Sequence, residues 1–194
     1  GFKPVVLQLG SGAYGRHDFM KKVAEDVVAR WGNQVWLKYN GWSEAINAEL
    51  VTYPWMSGGY WRKVDGDSVS FRFTNTKARN IRYGKVKIKA NSGTVNRNLK
   101  MVIYKDSNGK VGEKWAESEL VVTSLSSDPK TITFTFPSSP IYLSYTYWAA
   151  IEGFSLGEVQ VEVVQDSSAV LGDRLGGWTY FPGERINWEL TQVF

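Results

Sequence analysis

Residues 79–90 read RNIRYGKVKIKA, and the prediction of the fold begins from this stretch. The apolar residues 86, 88 and 90 alternate with Lys85, Lys87 and Lys89. Such a period of two is typical of a strand with one buried face and one solvent face. We therefore expect a strand whose three lysines point outward.

Further short segments of this kind follow, with turn signals between them. They are residues 99–104, 120–123, 131–136 and 145–151, and the sequence Asp-Ser-Asn-Gly at 106–109 is typical of a turn. A chain of 194 residues with 43% hydrophobic content can bury the core of one such domain. The series predicts a mainly β protein built as a β-sandwich over residues 46–194.

The N-terminal 45 residues show a different pattern. Residues 5–9 predict a strand, GSGAYG at 10–15 predicts a loop, and Asp18 is a suitable N-cap for a helix that ends near Gly32. The apolar face of this helix comprises Phe19, Val23, Val27 and Trp31. We expect residues 1–45 to form a strand–helix extension whose apolar face packs on the sandwich or on a neighbouring subunit.

The glycines at 10, 12 and 15 have the G-x-G-x-x-G spacing found in dinucleotide-binding folds. Such a fold also needs an acidic residue after the second strand, where this chain offers only Lys38 and Asn40, and it needs further strand–helix repeats. We therefore expect no bound cofactor.

Catalytic and metal-binding residues are sparse. His17 is the sole histidine and cysteine is absent. The acidic turns lack the full ligand series of a calcium loop. No run approaches the ~18 apolar residues of a membrane span. We expect a protein that is not an enzyme, holds no metal and has no membrane span.

Charge is distributed unevenly along the chain. Residues 1–105 hold 18 basic and 7 acidic residues (+11), whereas residues 106–194 hold 5 and 12 (−7), which gives the net charge of +4. Strands of opposite sign could neutralise each other within one sheet. Alternatively, a basic patch could bind an acidic polymer, or complementary faces could join copies of the chain through Lys85, Lys87 and Lys89.

Aromatic residues concentrate between positions 36 and 61. The candidate contacts with a sugar or a partner protein are Trp36, Tyr39, Trp42, Trp55, Tyr60 and Trp61. Exposed aromatic rings can stack on sugars, but large aromatics also fill cores and interfaces. Both interpretations remain open from the sequence.

Several of the β segments together resemble a known family. Residues 84–89, 101–109, 115–120, 131–136 and 147–151 are similar to jelly-roll domains of the choice-of-anchor type, which occur in phage virion proteins and on prokaryotic cell surfaces. The resemblance covers about residues 68–194. It implies a jelly-roll sandwich used for assembly, display or adhesion, without catalysis.

Two functions therefore remain possible. One is a self-associating structural protein of a virion or extracellular surface, such as a capsid, decoration or tail subunit. The other is a carbohydrate- or receptor-binding module. Nucleic acid is not an expected partner, because a recognition helix and a base-stacking motif are both missing.

Overall fold

The computed structural model describes residues 5–9, 22, 25, 26, 29, 35–39, 42–46, 49–75, 79–141 and 145–193. The chain divides into two compact units, residues 1–50 with 193–194 and residues 51–192. Over the described ranges it is mainly β. The strands are β1 (Val5–Leu9), β2 (Val35–Tyr39), β3 (Trp42–Ile46), β4 (Glu49–Tyr53), β5 (Tyr60–Lys63), β6 (Ser68–Thr74), β7 (Arg79–Ala90), β8 (Val95–Ser107), β9 (Lys110–Glu117), β10 (Val121–Leu125), β11 (Lys130–Ile141), β12 (Thr146–Glu152), β13 (Val159–Arg174), β14 (Trp178–Ile186) and β15 (Trp188–Val193).

The smaller unit contains a sheet in the order β1–β2–β3. Strand β1 confirms the strand expected at residues 5–9; it runs parallel to β2, and β2 runs antiparallel to β3. Four described residues between β1 and β2 are helical, namely Lys22, Glu25, Asp26 and Ala29. The glycine loop at 10–15 lies outside the described residues. So does the expected apolar helix face, which comprises Phe19, Val23, Val27 and Trp31.

The larger unit is built on the strand order β10–β8–β12–β6–β13–β7–β15–β4. Strands β9, β11, β14 and β5 pair with β8, β7, β13 and β13 respectively. The register of strand β13 shifts between Gln165 and Val170. The part of β13 before this shift pairs with β7, and the part after it pairs with β6. This long strand therefore links a group of strands around β8 to a group around β7.

These two groups face each other across one core. The Phe71 ring on β6 lies 4.7 Å from the Trp188 ring on β15, although the strand order separates them by three steps. Three steps in a flat sheet would cover about 14 Å. The strands therefore form two opposed layers in a sandwich-like arrangement. We call them the β8 layer (β9, β8, β12 and β6, with β13 from Val170 onward and the part of β14 paired with it) and the β7 layer (β11, β7, β15 and β4, with the first part of β13 and β5 paired with it).

The expected alternation of β7 is confirmed. Val86, Ile88 and Ala90 are buried in the core, while the lysines between them keep partial exposure. The expected turn between β8 and β9 is also present, because Asn108 and Gly109 both have positive φ, at 53° and 80°. Two consecutive positive φ angles are typical of the type I′ turn that joins twisted hairpin strands.

Candidate functional site

Three lysines lie along the outer face of the β7 layer. Lys85, Lys87 and Lys89 occupy alternate positions on β7, and the side chains of the first two are 35% and 40% exposed. Strand β11 adds Thr131 and Thr133 beside them, since these residues are in register with Lys87 and Lys85. The face is therefore polar and accessible along at least two strands.

Two of the lysines contact acidic residues that are distant in sequence. Lys85 Nζ lies 3.2 Å from Glu189 Oε1, and Lys87 Nζ lies 3.6 Å from Glu162 Oε2. Ion pairs with this exposure contribute about 0–1 kcal/mol to stability. Their main effect here is to offset the positive charge of β7.

Similar pairs recur elsewhere in the larger unit between the base-rich and acid-rich parts of the chain. They are Arg62–Glu184, Arg72–Asp106, Arg97–Glu158 and Arg174–Asp67. The Arg97 hydrogen bond holds the pKa of Glu158 below its usual range. Within the described residues, the structure thus favours the first interpretation of the charge asymmetry, in which strands of opposite sign neutralise each other inside the fold.

Two predicted aromatic residues share the outer face of the β7 layer with the lysines. Lys87 Nζ lies 5.0 Å from the ring centroid of Trp55, and Lys89 Nζ lies 4.7 Å from that of Trp61. Both indoles are partly exposed. A cation over an indole at such a site contributes about 0.5–1 kcal/mol and fixes the orientation of the ring. We call Trp55, Trp61, Lys85, Lys87 and Lys89 the lysine–tryptophan face.

Asn187, which is 2% exposed, holds the loop that carries Trp55. The Met56 backbone N–H donates to Asn187 Oδ1 at 2.9 Å, and Asn187 Nδ2 donates to the Met56 carbonyl at 3.0 Å. The same Nδ2 donates to Glu162 Oε2 at 2.9 Å. One buried amide therefore positions both the tryptophan loop and the carboxylate beside it.

A glycine makes room for that carboxylate. A Cβ atom at Gly59 would lie 2.7 Å from Glu162 Cδ, which is closer than such contacts allow. Glu162 is in register with Trp61 across β13 and β5, so the carboxylate and the indole are neighbours on the sheet. Glu162 was not among the residues predicted from the sequence, although the alternation VQVEV at 159–163 places it outward together with Gln160.

Tyr60 does not belong to this face, although it precedes Trp61. Its hydroxyl donates to Glu184 and accepts a hydrogen bond from Gln165 Nε2 at 3.0 Å, and its ring packs against the core. Burial raises the pKa of Tyr60, and the hydrogen bond and charge of Glu184 add to this effect. The separation follows from the period of two in β5, which turns adjacent side chains to opposite faces.

The other predicted aromatic contacts lie in the smaller unit. Trp36 and Tyr39 belong to β2 and Trp42 belongs to β3, with Tyr39 and Trp42 in register. Their side chains lie outside what the structure describes, so their part in a binding site stays a prediction.

A second cluster, which was also not predicted from the sequence, lies on the outer face of the β8 layer. The Arg174 side chain pairs with Asp67 at 2.8 Å and with Glu152 at 3.6 Å, and its guanidinium lies 5.4 Å from the Trp178 ring centroid. Tyr104 donates to Glu152. Burial raises the pKa of Tyr104, and Glu152 adds to the shift. The charges in this cluster have partners of opposite sign, as expected for a structural network.

The described residues contain neither a metal-binding cluster nor a membrane-spanning helix. They contain no group of three or more histidine, cysteine or acidic side chains that could hold a metal ion. They contain no helix that is long and apolar enough to cross a membrane. No protein-family model matches the chain, and no curated protein matches it either.

Proposed function

We propose that this chain is a non-catalytic jelly-roll module of a virion or extracellular surface, and that it binds carbohydrate through the lysine–tryptophan face. The observation that carries this proposal is the position of Trp55 and Trp61. Two partly exposed indoles lie on one sheet face, each oriented by a lysine. Indole rings can stack on the C–H face of a sugar while neighbouring polar groups bind its hydroxyls.

The surroundings of the indoles supply such polar groups. Glu162 stands beside Trp61 and is held in place by Asn187, so its position is set before a ligand arrives. The exposed side chains of Thr131 and Thr133 extend the polar surface on β11. Because such groups are ordered before the ligand binds, less binding free energy is lost in ordering the site.

Two acidic residues outside the lysine–tryptophan face are partners of basic groups and lack the raised pKa of a general acid. A general acid needs a carboxyl whose pKa is raised toward neutrality. Hydrogen bonds from Lys114 and Lys100 lower the pKa of Glu117, and the hydrogen bond from Arg97 lowers the pKa of Glu158. These carboxylates are therefore ionised at neutral pH and serve as partners of basic groups.

Affinity gel electrophoresis of the full chain in gels that contain soluble polysaccharides tests the proposal. We expect at least one polysaccharide to retard the protein, and Trp61→Ala and Trp55→Ala to weaken that binding at least tenfold. Trp178→Ala is the matched control, because this partly exposed tryptophan also lies under a cation but on the β8 layer. If no polysaccharide retards the chain, or if Trp178→Ala has the same effect as Trp61→Ala, the proposal is wrong.

Self-association as a capsid, decoration or tail subunit is the second candidate function. It is supported by two exposed apolar side chains at the beginning of β10, since Leu120, just before the strand, is 51% exposed and Val122 is 79% exposed. Exposed apolar surface of this kind can mark a contact between proteins. The ion pairs of Lys85 and Lys87 weaken the case for a charge-driven contact through these two lysines.

Light scattering after size-exclusion chromatography tests this second candidate. We expect a multimer that persists at high salt, and we expect Leu120→Ser with Val122→Ser to reduce its mass. Leu156→Ser is the control at another exposed leucine. A strict monomer at high concentration would contradict self-association through this surface.

A further inference from the structure

We infer that the lysine–tryptophan face selects acidic polysaccharides, and that Lys63, Gln160 and Lys89 form the row that receives a carboxylate or sulfate group of the polymer. This inference rests on the proposed function, since it names the chemical class of the carbohydrate. We call these three residues the cationic row.

The sheet register places the cationic row on one surface. Gln160 on β13 is in register with Lys63 on β5 and with Lys89 on β7. Residues opposite each other in neighbouring strands share a face of the sheet, and strands lie about 4.8 Å apart. The Cα atoms of the two lysines are therefore about 10 Å apart, with one neutral amide between them.

The ammonium group of Lys89 is available to a ligand. Lys85 and Lys87 each have a carboxylate partner, at 3.2 and 3.6 Å. No carboxylate of the described residues lies within 4.0 Å of Lys89 Nζ, which instead contacts the Trp61 ring. The local charge near Trp61 is thus more positive on the Lys89 side.

The charge of Lys63 is only weakly offset. Its Nζ lies 3.8 Å from Asp65 Oδ1, with the two side chains 54% and 66% exposed. Water screens such a pair, so a ligand anion can compete with Asp65 for the ammonium group. Gln160 Nε2 donates to Asn91 Oδ1 at 2.9 Å, which orients the neutral amide between the two cations.

Glu162 makes the charge on the two sides of the Trp61 indole unequal. It is in register with Trp61 and lies next to Lys87, so an anion placed on that side of the indole would meet a carboxylate. An anion on the opposite side would meet Lys89 and Lys63. A sugar ring stacked on Trp61 is therefore expected to point its acidic group toward the cationic row, while its hydroxyls face Glu162.

The test compares polymers that differ in charge alone. Affinity electrophoresis of the full chain uses polygalacturonate against its methyl ester, and dextran sulfate against dextran. We expect the acidic member of at least one pair to bind at least tenfold more tightly, and the pair that shows this identifies carboxylate or sulfate. Lys89→Gln and Lys63→Gln should each weaken binding of the acidic polymer three- to tenfold, more than either variant weakens binding of the neutral partner.

Lys110→Gln is the matched control, because it removes one exposed positive charge at the β8–β9 hairpin. If Lys110→Gln has the same effect as Lys89→Gln, the binding reflects general attraction to a basic protein and the inference is wrong. If acidic and neutral polymers bind equally and Trp61→Ala weakens both, the inference is wrong while carbohydrate binding stands. If none of these or other polysaccharides binds, the proposed function itself fails.

Discussion

Replacement of Asn187 by alanine should both destabilise the larger unit and disturb the lysine–tryptophan face. The change removes two hydrogen bonds between neutral groups, to the N–H and carbonyl of Met56, and one to the Glu162 carboxylate. A neutral bond contributes about 1 kcal/mol, and one to a charged group contributes about 1.5–3 kcal/mol.

Hydrogen bonds to water can compensate for part of the free energy that is lost with the Asn187 side chain. Met56 is 43% exposed, so its backbone groups can find water once the Asn187 side chain is gone, whereas Asn187 itself lies in a buried position. We therefore expect the free energy of unfolding to fall by about 2–4 kcal/mol. With a urea m-value of about 2 kcal/mol/M, the unfolding midpoint would fall by about 1–2 M.

Urea denaturation followed by tryptophan fluorescence measures this change. Asn98→Ala is the matched control, because Asn98 is exposed, and its midpoint should stay within about 0.25 M of the parent protein. If a polysaccharide binds the parent chain, it should bind Asn187→Ala more weakly, because Trp55 and Glu162 lose the side chain that positions both of them. Equal midpoints for the two variants would refute the assigned role of Asn187.

Two further predictions concern the stability of the larger unit. Gly66→Ala should lower the free energy of unfolding of this unit by at least about 2 kcal/mol, because a Cβ at Gly66 would lie 1.9 Å from the Arg174 carbonyl oxygen. Urea denaturation measures this change. Gly177→Ala is the control and should leave the midpoint unchanged, because a Cβ at Gly177 would have no atom within 4 Å. Burial opposes ionisation of Asp106, but hydrogen bonds from Gly109, Arg72 and Trp148 outweigh it and lower the pKa of Asp106. Because this pKa lies below that of the unfolded chain, the stabilisation is present above about pH 4 and is lost as the pH falls through the folded-state pKa. Asp106→Asn should make stability less dependent on pH between 4 and 2, and an unchanged pH profile would contradict this assignment.

Local patterns predicted the strands well. The lysine alternation on β7 and the Asn-Gly turn after β8 depend on residues within a few positions of each other, so the sequence contains all the information they need. The smaller unit shows the limit of this reasoning. Its first strand was predicted, but the sequence did not reveal the parallel pairing of β1 with β2, because pairing joins residues about thirty positions apart.

The candidate site was predicted only in part, for a related reason. Trp55 and Trp61 were identified as aromatic residues in an unusual concentration, but Tyr60 was grouped with them because β5 had not been recognised as a strand. Glu162 and Asn187 were missed because they approach Trp61 and Trp55 only through the order of strands in the sheet. The partners of the lysines were unpredictable for the same reason, and this left three interpretations of the charge asymmetry open.

Trp148, on the outer face of the β8 layer, differs from Trp55 and Trp61 in that other side chains already cover it. On the β8 layer, Trp148 is fully buried, its indole N–H donates to Asp106 at 2.8 Å, and Tyr180 packs 5.1 Å from its ring. The Tyr180 hydroxyl in turn accepts a hydrogen bond from the Val111 backbone N–H at 2.9 Å, so side chains cover this part of the face. On the β7 layer, by contrast, the indoles of Trp55 and Trp61 keep partial exposure. A ligand that stacks on aromatic rings finds them accessible on the β7 layer, whereas at Trp148 it would first have to displace Tyr180 and its hydrogen bond.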